Sequence, residues 1–286
     1  MIIINQANLQ KPEWLKIRLP GNWDNGKVSG VIDILNLQTV CRSAACPNIG
    51  QCYHSGTATF LILGDKCTRL CRFCAVKKGI PEKVDLEEPQ KLAEAVKELG
   101  LKHVVITSVT RDDLLDGGSE QFAACIRAIR TCVSATVEVL IPDFGGSREA
   151  VARVLAERPE VFNHNIETVP RLYSSVRPNA YYQRSLNVLK QAVEESGTKI
   201  KSGLMVGLGE NEEEVIEVLK DLMEAGVCIV TIGQYLRPSP QHLAVTEYIQ
   251  PAQFVRYEQI ARKMGFTHVA AGPLVRSSYN AAAFLK

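Results

Sequence analysis

Short apolar runs alternate with amphipathic stretches along the chain from about residue 57 onward. The apolar runs, such as TATFLILG and CIVTIGQYL, are apolar on both faces, and each is followed by a stretch with helical spacing, such as PQKLAEAVKELG. Six such strand–helix units can be counted. Buried strands separated by helices are typical of a parallel sheet. The pattern predicts an α/β fold, either a partial (β/α)6 parallel barrel or an open doubly wound sheet, rather than a full eight-fold barrel.

Several residues mark where the predicted helices begin and end. Ser119, Ser147 and Asn211 are suited to N-cap positions because their side-chain oxygens accept bonds from free backbone N–H groups. Gly100 is suited to a C-cap, where a left-handed backbone is needed. Two segments fall outside the alternation, which divides the chain into an N-terminal extension (1–56), a strand–helix domain (57–272) and a C-terminal tail (273–286).

Composition narrows the class of protein. The chain has 286 residues, 46% hydrophobic and 22% charged, as expected for a globular protein with a substantial core. A net charge of +2 indicates neither nucleic-acid nor membrane binding, and no apolar run is long enough to span a bilayer. The start, MIIINQANLQ, shows no signal-peptide pattern. We therefore expect a cytoplasmic protein, in which the nine cysteines serve metal ligation rather than disulfides.

Three cysteines follow the first predicted strand, in GDKCTRLCRFC. Cys67, Cys71 and Cys74, here called the barrel trio, have CxxxCxxC spacing. Loops after the strands of a parallel sheet lie at its carboxyl edge, where active sites of such folds are found. Three thiolates in so short a loop suit three corners of a [4Fe–4S] cube and leave one iron without a protein ligand. A structural zinc site or a redox loop with a distant fourth ligand is the alternative.

Three more cysteines lie in the N-terminal extension, in CRSAACPNIGQC. Cys41, Cys46 and Cys52, here called the N-terminal trio, are also one ligand short of the four that a closed metal site needs. The remaining cysteines are scattered, and we expect them to be structural: Cys125, Cys132 and Cys228.

The barrel trio resembles the signature of the radical S-adenosylmethionine (SAM) superfamily, and the two trios together resemble the lipoyl synthase family. The similarity extends to CPNIGQC, ITSVTRDDL, FNHNIETV, LYSSVRP and GPLVRSSY, and so covers nearly the whole chain. The resemblance implies a partial barrel of the radical SAM type. It also implies that SAM chelates the open iron, and that the reduced cluster cleaves it to a 5′-deoxyadenosyl radical.

The superfamily resemblance also suggests residues that contact SAM. Phe73 would pack near the adenine. Met205 and Gly207, in GLMVGLGE, would contact the adenine or merely let the strand end turn. The stretch DGGSE would meet the SAM amine or form an ordinary helix start, through Gly117, Gly118 and Ser119. Two charged residues would bind the ribose or the carboxylate or be solvated charges: Glu167 and Arg184.

The lipoyl synthase resemblance implies a second, auxiliary [4Fe–4S] cluster on the N-terminal trio, with Ser278 of RSSY as fourth ligand. The residues themselves do not choose between Ser277 and Ser278, and a polar tail with local hydrogen bonds is the alternative. An alkoxide is a hard, weak partner for iron, which suits a cluster that is dismantled. The family activity is sulfur insertion at C6 and C8 of a protein-bound octanoyl-lysine, with the auxiliary cluster as the consumed sulfur donor.

The resemblance also implies protein partners. The substrates would be octanoylated carrier domains, in the E2 subunits of 2-oxoacid dehydrogenases and the glycine cleavage H protein. A ferredoxin or flavodoxin would supply electrons, and an iron–sulfur carrier protein would rebuild the auxiliary cluster. Basic side chains near the trios either contact an acidic carrier or are solvated charges: Arg42, Arg69, Arg72, Lys77 and Lys78. The rival functions are a biotin synthase-like enzyme or methylthiotransferase, and a non-catalytic iron–sulfur scaffold.

Overall fold

The computed structural model describes residues 10–16, 26–54 and 57–285. The predicted absence of a signal peptide at the start of the chain concerns residues outside these ranges. The strands are β1 (Gln38–Thr39), β2 (Thr59–Ile62), β3 (Lys66–Cys67), β4 (Lys77–Lys78), β5 (His103–Ser108), β6 (Thr136–Leu140), β7 (Val161–Asn163), β8 (Lys199–Val206), β9 (Ile229–Gln234) and β10 (His268–Gly272). The α-helices are α1 (Gly26–Ile34), α2 (Val40–Ser43), α3 (Ile49–His54), α4 (Glu88–Leu99), α5 (Ser119–Cys132), α6 (Arg148–Ala156), α7 (Tyr173–Val176), α8 (Tyr182–Glu195), α9 (Glu212–Glu224) and α10 (Pro251–Met264).

Eight strands form one sheet in the order β1-β2-β5-β6-β7-β8-β9-β10. Every neighbouring pair from β2 to β10 is parallel, and β1 adds to β2 in the antiparallel direction. Six of the parallel strands are followed by a long helix, which confirms the predicted partial (β/α)6 barrel. The sheet has a seventh parallel strand, β10. In the described part of the chain, the two edges of the sheet are not joined by hydrogen bonds into a closed barrel. Strand β1 shows that the N-terminal extension contributes to the sheet rather than only to loops.

The predicted helix signals are mostly confirmed. Ser147 accepts a hydrogen bond from the Ala150 N–H, and Asn211 forms a capping box with Glu214. Ser119 is different, because it is the first residue of α5 and its side chain caps nothing. The Asp116 carboxylate takes that role, accepting from the backbone N–H groups that follow it. Among the described helices, none is both long enough and apolar enough to cross a membrane.

A layer of buried charge lies inside the sheet, below the strand ends. Lys201 of β8 is fully buried and its ammonium group donates to both oxygens of Glu138, at 2.8 and 3.1 Å. Burial alone would raise the pKa of Glu138, but the charge of Lys201 and its hydrogen bonds hold that pKa below the ordinary value. Asn163 also donates to Glu138. The ring of Phe284, in the C-terminal tail, covers the ammonium group at 4.8 Å.

We expect Lys201→Met to destabilise the chain by about 3–5 kcal/mol, because it leaves the Glu138 carboxylate buried without its cation. Urea unfolding of the mutant and the parent measures the change. The matched variant Lys190→Met removes an exposed lysine of α8 and is expected to cost less than about 0.5 kcal/mol. Adding Glu138→Leu to Lys201→Met is expected to restore much of the loss. If Lys201→Met unfolded like the parent, the pair would not be needed for stability.

Candidate functional site

One cavity of about 660 Å³ lies at the carboxyl edge of the sheet. Its wall includes the strand ends, such as Thr107, Leu140 and Met205, and the loops that follow them. All six cysteines of the two trios line this cavity, together with Ser277 and Ser278 of the tail. The structure therefore brings together, around one space, three segments that are far apart in sequence.

The barrel trio sits on a loop that is tied to the neighbouring strands. Cys67 ends β3, and its sulfur accepts a hydrogen bond from the Thr110 N–H at 3.3 Å. The Cys74 N–H donates to the Cys71 carbonyl at 3.3 Å, which closes the short turn between them. The Arg72 N–H between these cysteines donates to the Val176 carbonyl at 2.9 Å. These bonds hold the three cysteines at the edge of the sheet, two of them through the backbone and one through the Cys67 sulfur.

Arg69 anchors the same loop from below. Its guanidinium group is buried and donates to Asp112 and to Asp143, with nitrogen–oxygen distances of 2.7 to 2.9 Å. Burial alone would raise the pKa of Asp143, but its hydrogen bonds to Arg69 and the charge of Arg69 lower that pKa to about 2. The Asp143 carboxylate therefore binds Arg69 as an anion at neutral pH. Arg69 is not a surface charge, and its predicted contact with an acidic partner is wrong.

The N-terminal trio is assembled by two short helices. Cys41 lies in α2 and Cys52 in α3, with Cys46 in the turn between them. Thr39 caps α2 by accepting from the Arg42 N–H, and its hydroxyl also bonds the Tyr53 hydroxyl of α3 at 2.7 Å. The Thr39–Tyr53 contact joins the two helices, so that their cysteines face the same cavity.

The donor sets fit iron–sulfur clusters chemically. None of the nine cysteines forms a disulfide. Burial raises the pKa of Cys41, Cys71 and Cys74, and it raises the pKa of Cys52 to about 12. A bound metal reverses this effect, because it displaces the proton from the sulfur. Within residues 10–16, 26–54 and 57–285, no three His, Cys, Asp or Glu side chains converge on one metal-ion position. Each thiolate of a cube binds a different iron, so a trio that fits a cube need not converge on one point.

The tail brings two serines of different character to the cavity. The Ser277 hydroxyl donates to the Asn165 Oδ1 at 2.8 Å and accepts from the Asn163 Nδ2 at 3.0 Å. The Ser278 hydroxyl has no hydrogen-bond partner within the part of the chain that the structure describes. Ser278 is therefore the serine with a free oxygen at the cavity wall.

The residues predicted to contact SAM fall into two groups. Phe73, Glu167 and Met205 line the cavity, which is compatible with contact to a ligand there. The others do not belong to its described lining: Gly117, Gly118, Ser119, Arg184 and Gly207. Gly118 has φ +90°, and a Cβ there would lie 2.3 Å from Leu63, so that glycine serves the packing of a helix start. The Arg184 guanidinium instead bonds Asp143 and stacks on Tyr181.

Arg177 lines the cavity and is a residue that sequence reasoning missed. It lies in LYSSVRP, a stretch that carried the resemblance without any role being assigned within it. Its side chain is only 9% exposed, and its Nη1 donates to the Tyr173 hydroxyl at 2.8 Å and to the Asn165 carbonyl at 3.2 Å. Its Nε is buried with no hydrogen-bond partner among the described residues. A buried guanidinium with an unused donor is suited to an anionic ligand.

A line of hydrogen bonds orients Arg177. The Tyr173 hydroxyl bonds Ser185 at 2.8 Å, Ser185 bonds the His164 Nε2 at 3.0 Å, and the His164 Nδ1 bonds the Ile141 carbonyl at 2.9 Å. A carbonyl only accepts, so the His164 Nδ1 carries the hydrogen and each earlier bond donates toward His164. Burial, together with the charge of Arg177, lowers the pKa of His164 to about 4. His164 is therefore a neutral orienting group.

The remaining basic residues near the trios differ in their surroundings. Arg42 pairs with Asp33, and Lys77 pairs with Asp65 at 2.7 Å, both at exposed positions. Lys78 lines the cavity. Arg72 is exposed at the edge of a second, smaller cavity of about 460 Å³.

Comparisons with known proteins agree with this geometry. The family model described as the Radical SAM superfamily matches residues 61–222. A lipoyl synthase from Caldanaerobacter subterraneus subsp. tengcongensis is 57% identical over 274 residues, which cover 96% of each chain. A mitochondrial lipoyl synthase from Nematostella vectensis is 52% identical over 95% of this chain and 94% of its own.

Solved structures share the fold at low sequence identity. Streptococcus suis SuiB bound to S-adenosylmethionine aligns with a TM-score of 0.58 at 12% identity, over 74% of this chain and 49% of that one. Methylornithine synthase aligns with a TM-score of 0.50 at 13% identity, over 87% of this chain and 82% of that one. At such identities the likeness concerns the fold alone.

We expect Asp143→Asn to cost about 2 kcal/mol at neutral pH, because the pKa of Asp143 lies near 2 against an ordinary 3.8. A lowered pKa stabilises the folded chain above the unfolded value, so the difference between parent and variant should shrink as the pH falls from about 4 toward 2. Urea unfolding between pH 7 and pH 3 measures it. The control Asp112→Asn, at an exposed partner of the same arginine, should cost less than about 1 kcal/mol. A difference independent of pH would contradict the assignment.

Proposed function

Because the chain belongs to the lipoyl synthase family of the radical SAM superfamily, we propose that it inserts sulfur at C6 and C8 of an octanoyl group held on a lysine of a carrier protein. The chain is an enzyme of the sulfurtransferase class, and its family uses SAM and a [4Fe–4S] cluster. The observation that carries the proposal is the single cavity that both cysteine trios and the tail serines line.

The barrel trio would hold the SAM-binding cluster. Its three half-buried cysteines lie at the carboxyl edge of the parallel sheet, where ligand sites of this architecture are found. Three sulfurs leave one iron for SAM. A cluster held by these three cysteines would supply the electron for cleavage of SAM to a radical, which acid–base groups could not replace at unactivated carbons.

Four side chains at the cavity wall would bind SAM. Phe73 and Met205 offer apolar surface, and Glu167 offers a half-buried carboxylate. Burial raises the pKa of Glu167, while the nearby charge of Arg177 opposes that rise. Arg177 lines the cavity, and its guanidinium charge supports a contact with the SAM carboxylate. Other predicted contacts stay proposals without support from the cavity lining: Gly117, Gly118, Ser119, Arg184 and Gly207.

The N-terminal trio and Ser278 would hold the auxiliary cluster. Cys52, Cys46 and Cys41 are close enough that each neighbouring thiol disfavours a charge on Cys52. Ser277 is occupied by two asparagines, whereas the Ser278 hydroxyl is free at the cavity wall, which supports Ser278 as fourth ligand. We propose that this cluster donates the sulfur. A hard oxygen ligand on iron favours its opening.

The cavity would also shape the approach of the substrate. Its wall between the two trios contains apolar side chains, including Leu61, Val109, Leu140 and Leu204, which suit an aliphatic chain. The same residues exclude water from the space where the substrate carbons would meet the sulfur donor. The chain itself therefore contributes binding, orientation and exclusion of water.

The proposed partners follow from the activity. Lipoyl carrier domains are the substrates of the family, and we propose the octanoylated E2 subunits and glycine cleavage H protein. We also propose a ferredoxin or flavodoxin as electron donor and an iron–sulfur carrier protein to rebuild the auxiliary cluster. Nine free cysteines suit a reducing compartment, which we propose is the cytoplasm. We propose the three-part division at residues 56 and 272, with the extension and tail supplying the auxiliary site.

We expect the chain, reconstituted anaerobically with iron and sulfide, to hold about eight irons, since each cube has four. Supplied with SAM, a reductant and an octanoyl-lysyl peptide, it should give a dithiolated peptide, measured by mass spectrometry. Cys46→Ala should still cleave SAM but form no product, whereas Cys71→Ala should cleave none. Cys132→Ala, at a half-buried cysteine of α5 away from the cavity, is the matched control and should behave as the parent.

Three outcomes would count against the proposal. SAM cleavage without sulfur on the peptide points to another radical SAM activity, and four irons per chain removes the auxiliary cluster. Failure of SAM to change the cluster's electronic spectrum would favour a scaffold or electron carrier.

We expect Arg177→Met to weaken SAM binding by about 10- to 100-fold, because a charge-assisted hydrogen bond to the SAM carboxylate is lost. Equilibrium dialysis with the cluster-loaded enzyme measures it. Tyr173→Phe removes the hydroxyl that accepts from Arg177 and should weaken binding by a smaller factor. Arg184→Met is the matched control, since that guanidinium bonds Asp143 outside the cavity lining. If Arg184→Met weakened SAM binding more than Arg177→Met, then Arg184 rather than Arg177 would be the arginine that contacts SAM.

A further inference from the structure

The C-terminal tail is bound to the N-terminal cysteine motif by side chains of CPNIGQC. The Asn48 Nδ2 donates to the Leu274 carbonyl at 2.8 Å, and the Tyr279 hydroxyl donates to the Gln51 Oε1 at 3.4 Å. One contact precedes the two serines of RSSY in sequence, and the other follows them. These contacts bring Ser278 to the cavity that the N-terminal trio lines.

The backbone of the tail also lies very close to strand β9. A Cβ on Gly233 would come within 2.2 Å of the Val275 carbonyl oxygen, so only glycine permits this approach. The Arg276 guanidinium donates to the Gln234 carbonyl at 3.2 Å. The tail is thus seated against the carboxyl edge of the sheet before it reaches the serines.

Ser277 makes two further hydrogen bonds in this seat. Its hydroxyl has one hydrogen, which it donates to the Asn165 Oδ1, and it accepts from the Asn163 Nδ2. Asn163 is the last residue of β7, and Asn165 follows it by two residues. A hydroxyl that is committed on both sides is suited to holding the backbone of its neighbour, Ser278, in one place.

Asn165 connects this seat to the SAM side of the cavity. Its Nδ2 donates to the Glu167 Oε1 at 3.2 Å, and its carbonyl accepts from the Arg177 Nη1 at 3.2 Å. Its Oδ1 is at the same time the acceptor for Ser277 at 2.8 Å. Asn165 is therefore bonded through its side chain to the tail serine and to Glu167, and through its backbone carbonyl to Arg177.

We propose that Ser277 is a positioning residue, which holds the tail so that Ser278 faces the auxiliary cluster, and that Asn165 links this seat to the SAM side of the cavity. The proposal rests on the proposed function for the role of Ser278 and adds roles for two residues that ligate nothing. Ser277 acts through its hydrogen bonds, whereas Ser278 acts through a bond to iron. We therefore expect variants at the two serines to respond differently when iron is removed, as measured by hydrogen–deuterium exchange of the tail.

The test is hydrogen–deuterium exchange of the peptide spanning residues 274–280, on the full chain loaded anaerobically and again after iron is removed by a chelator. We expect Ser277→Ala to speed exchange about tenfold in both samples, since two hydrogen bonds are lost. Ser277→Thr keeps a hydroxyl and should stay within about twofold of the parent. Ser278→Ala should speed exchange in the loaded sample only.

Asn165 is tested by a double-mutant cycle. Asn165→Ala should speed tail exchange about as much as Ser277→Ala, and the double variant should add less than about twofold, because both remove the same bond. Ser277→Ala should also weaken SAM binding, by about threefold on equilibrium dialysis, and should lose this effect in the Asn165→Ala background. A purely structural serine would leave SAM binding unchanged, and that result overturns the link through Asn165.

Two results separate the positioning role from the proposed function. Parent-like exchange in Ser277→Ala, or equal acceleration by Ser278→Ala after iron removal, would overturn the positioning role alone. Four irons per loaded chain would contradict the auxiliary cluster itself. Faster exchange in Ser277→Ala, rescue by threonine and eight irons together support the proposal.

Discussion

A parallel sheet directs the loop after every strand to the same edge, and the chemistry of this chain depends on that constraint. The barrel trio follows β2, Thr110 follows β5, and Asn165 and Glu167 follow β7. Side chains about one hundred residues apart in sequence therefore line one cavity. The tail follows β10, the strand at one edge of the sheet, and two of its serines line the same cavity.

Buried groups that are paired or hydrogen-bonded hold this arrangement. The Lys201–Glu138 pair lies inside the sheet, Arg69 joins the cluster loop to Asp143, and the hydrogen bonds from Arg177 to the Ile141 carbonyl all run in one direction. An unpaired charge at any of these positions would cost several kcal/mol. At the cavity wall, Ser277, Asn165 and Glu167 are hydrogen-bonded, whereas the Ser278 hydroxyl has no partner among the described residues.

Much of the fold could be predicted from the sequence, because apolar periodicity and cap residues are local signals. Six strand–helix units, the caps at Ser147 and Asn211 and the turn at Gly100 were all readable in this way. Strand β1 was not, since two residues carry no periodicity. Ser119 was misjudged as a cap because Asp116, three residues earlier, competes for the same N–H groups. Arg69 looked like a surface charge because its two carboxylate partners are distant in sequence.

The sequence by itself determined the two cysteine trios and their spacing, because these are local features of the chain. Only the tertiary structure decided which distant groups share a cavity with them. Ser277 and Ser278 are the same residue type, and the sequence does not distinguish them. In the structure, Asn163 and Asn165 form hydrogen bonds with the Ser277 hydroxyl but not with the Ser278 hydroxyl. Arg177 likewise carries no distinguishing signal in the sequence. Its side chain is oriented by burial and by hydrogen bonds that run through Tyr173, Ser185 and His164. Such properties depend on neighbours brought together by folding, which no local pattern specifies.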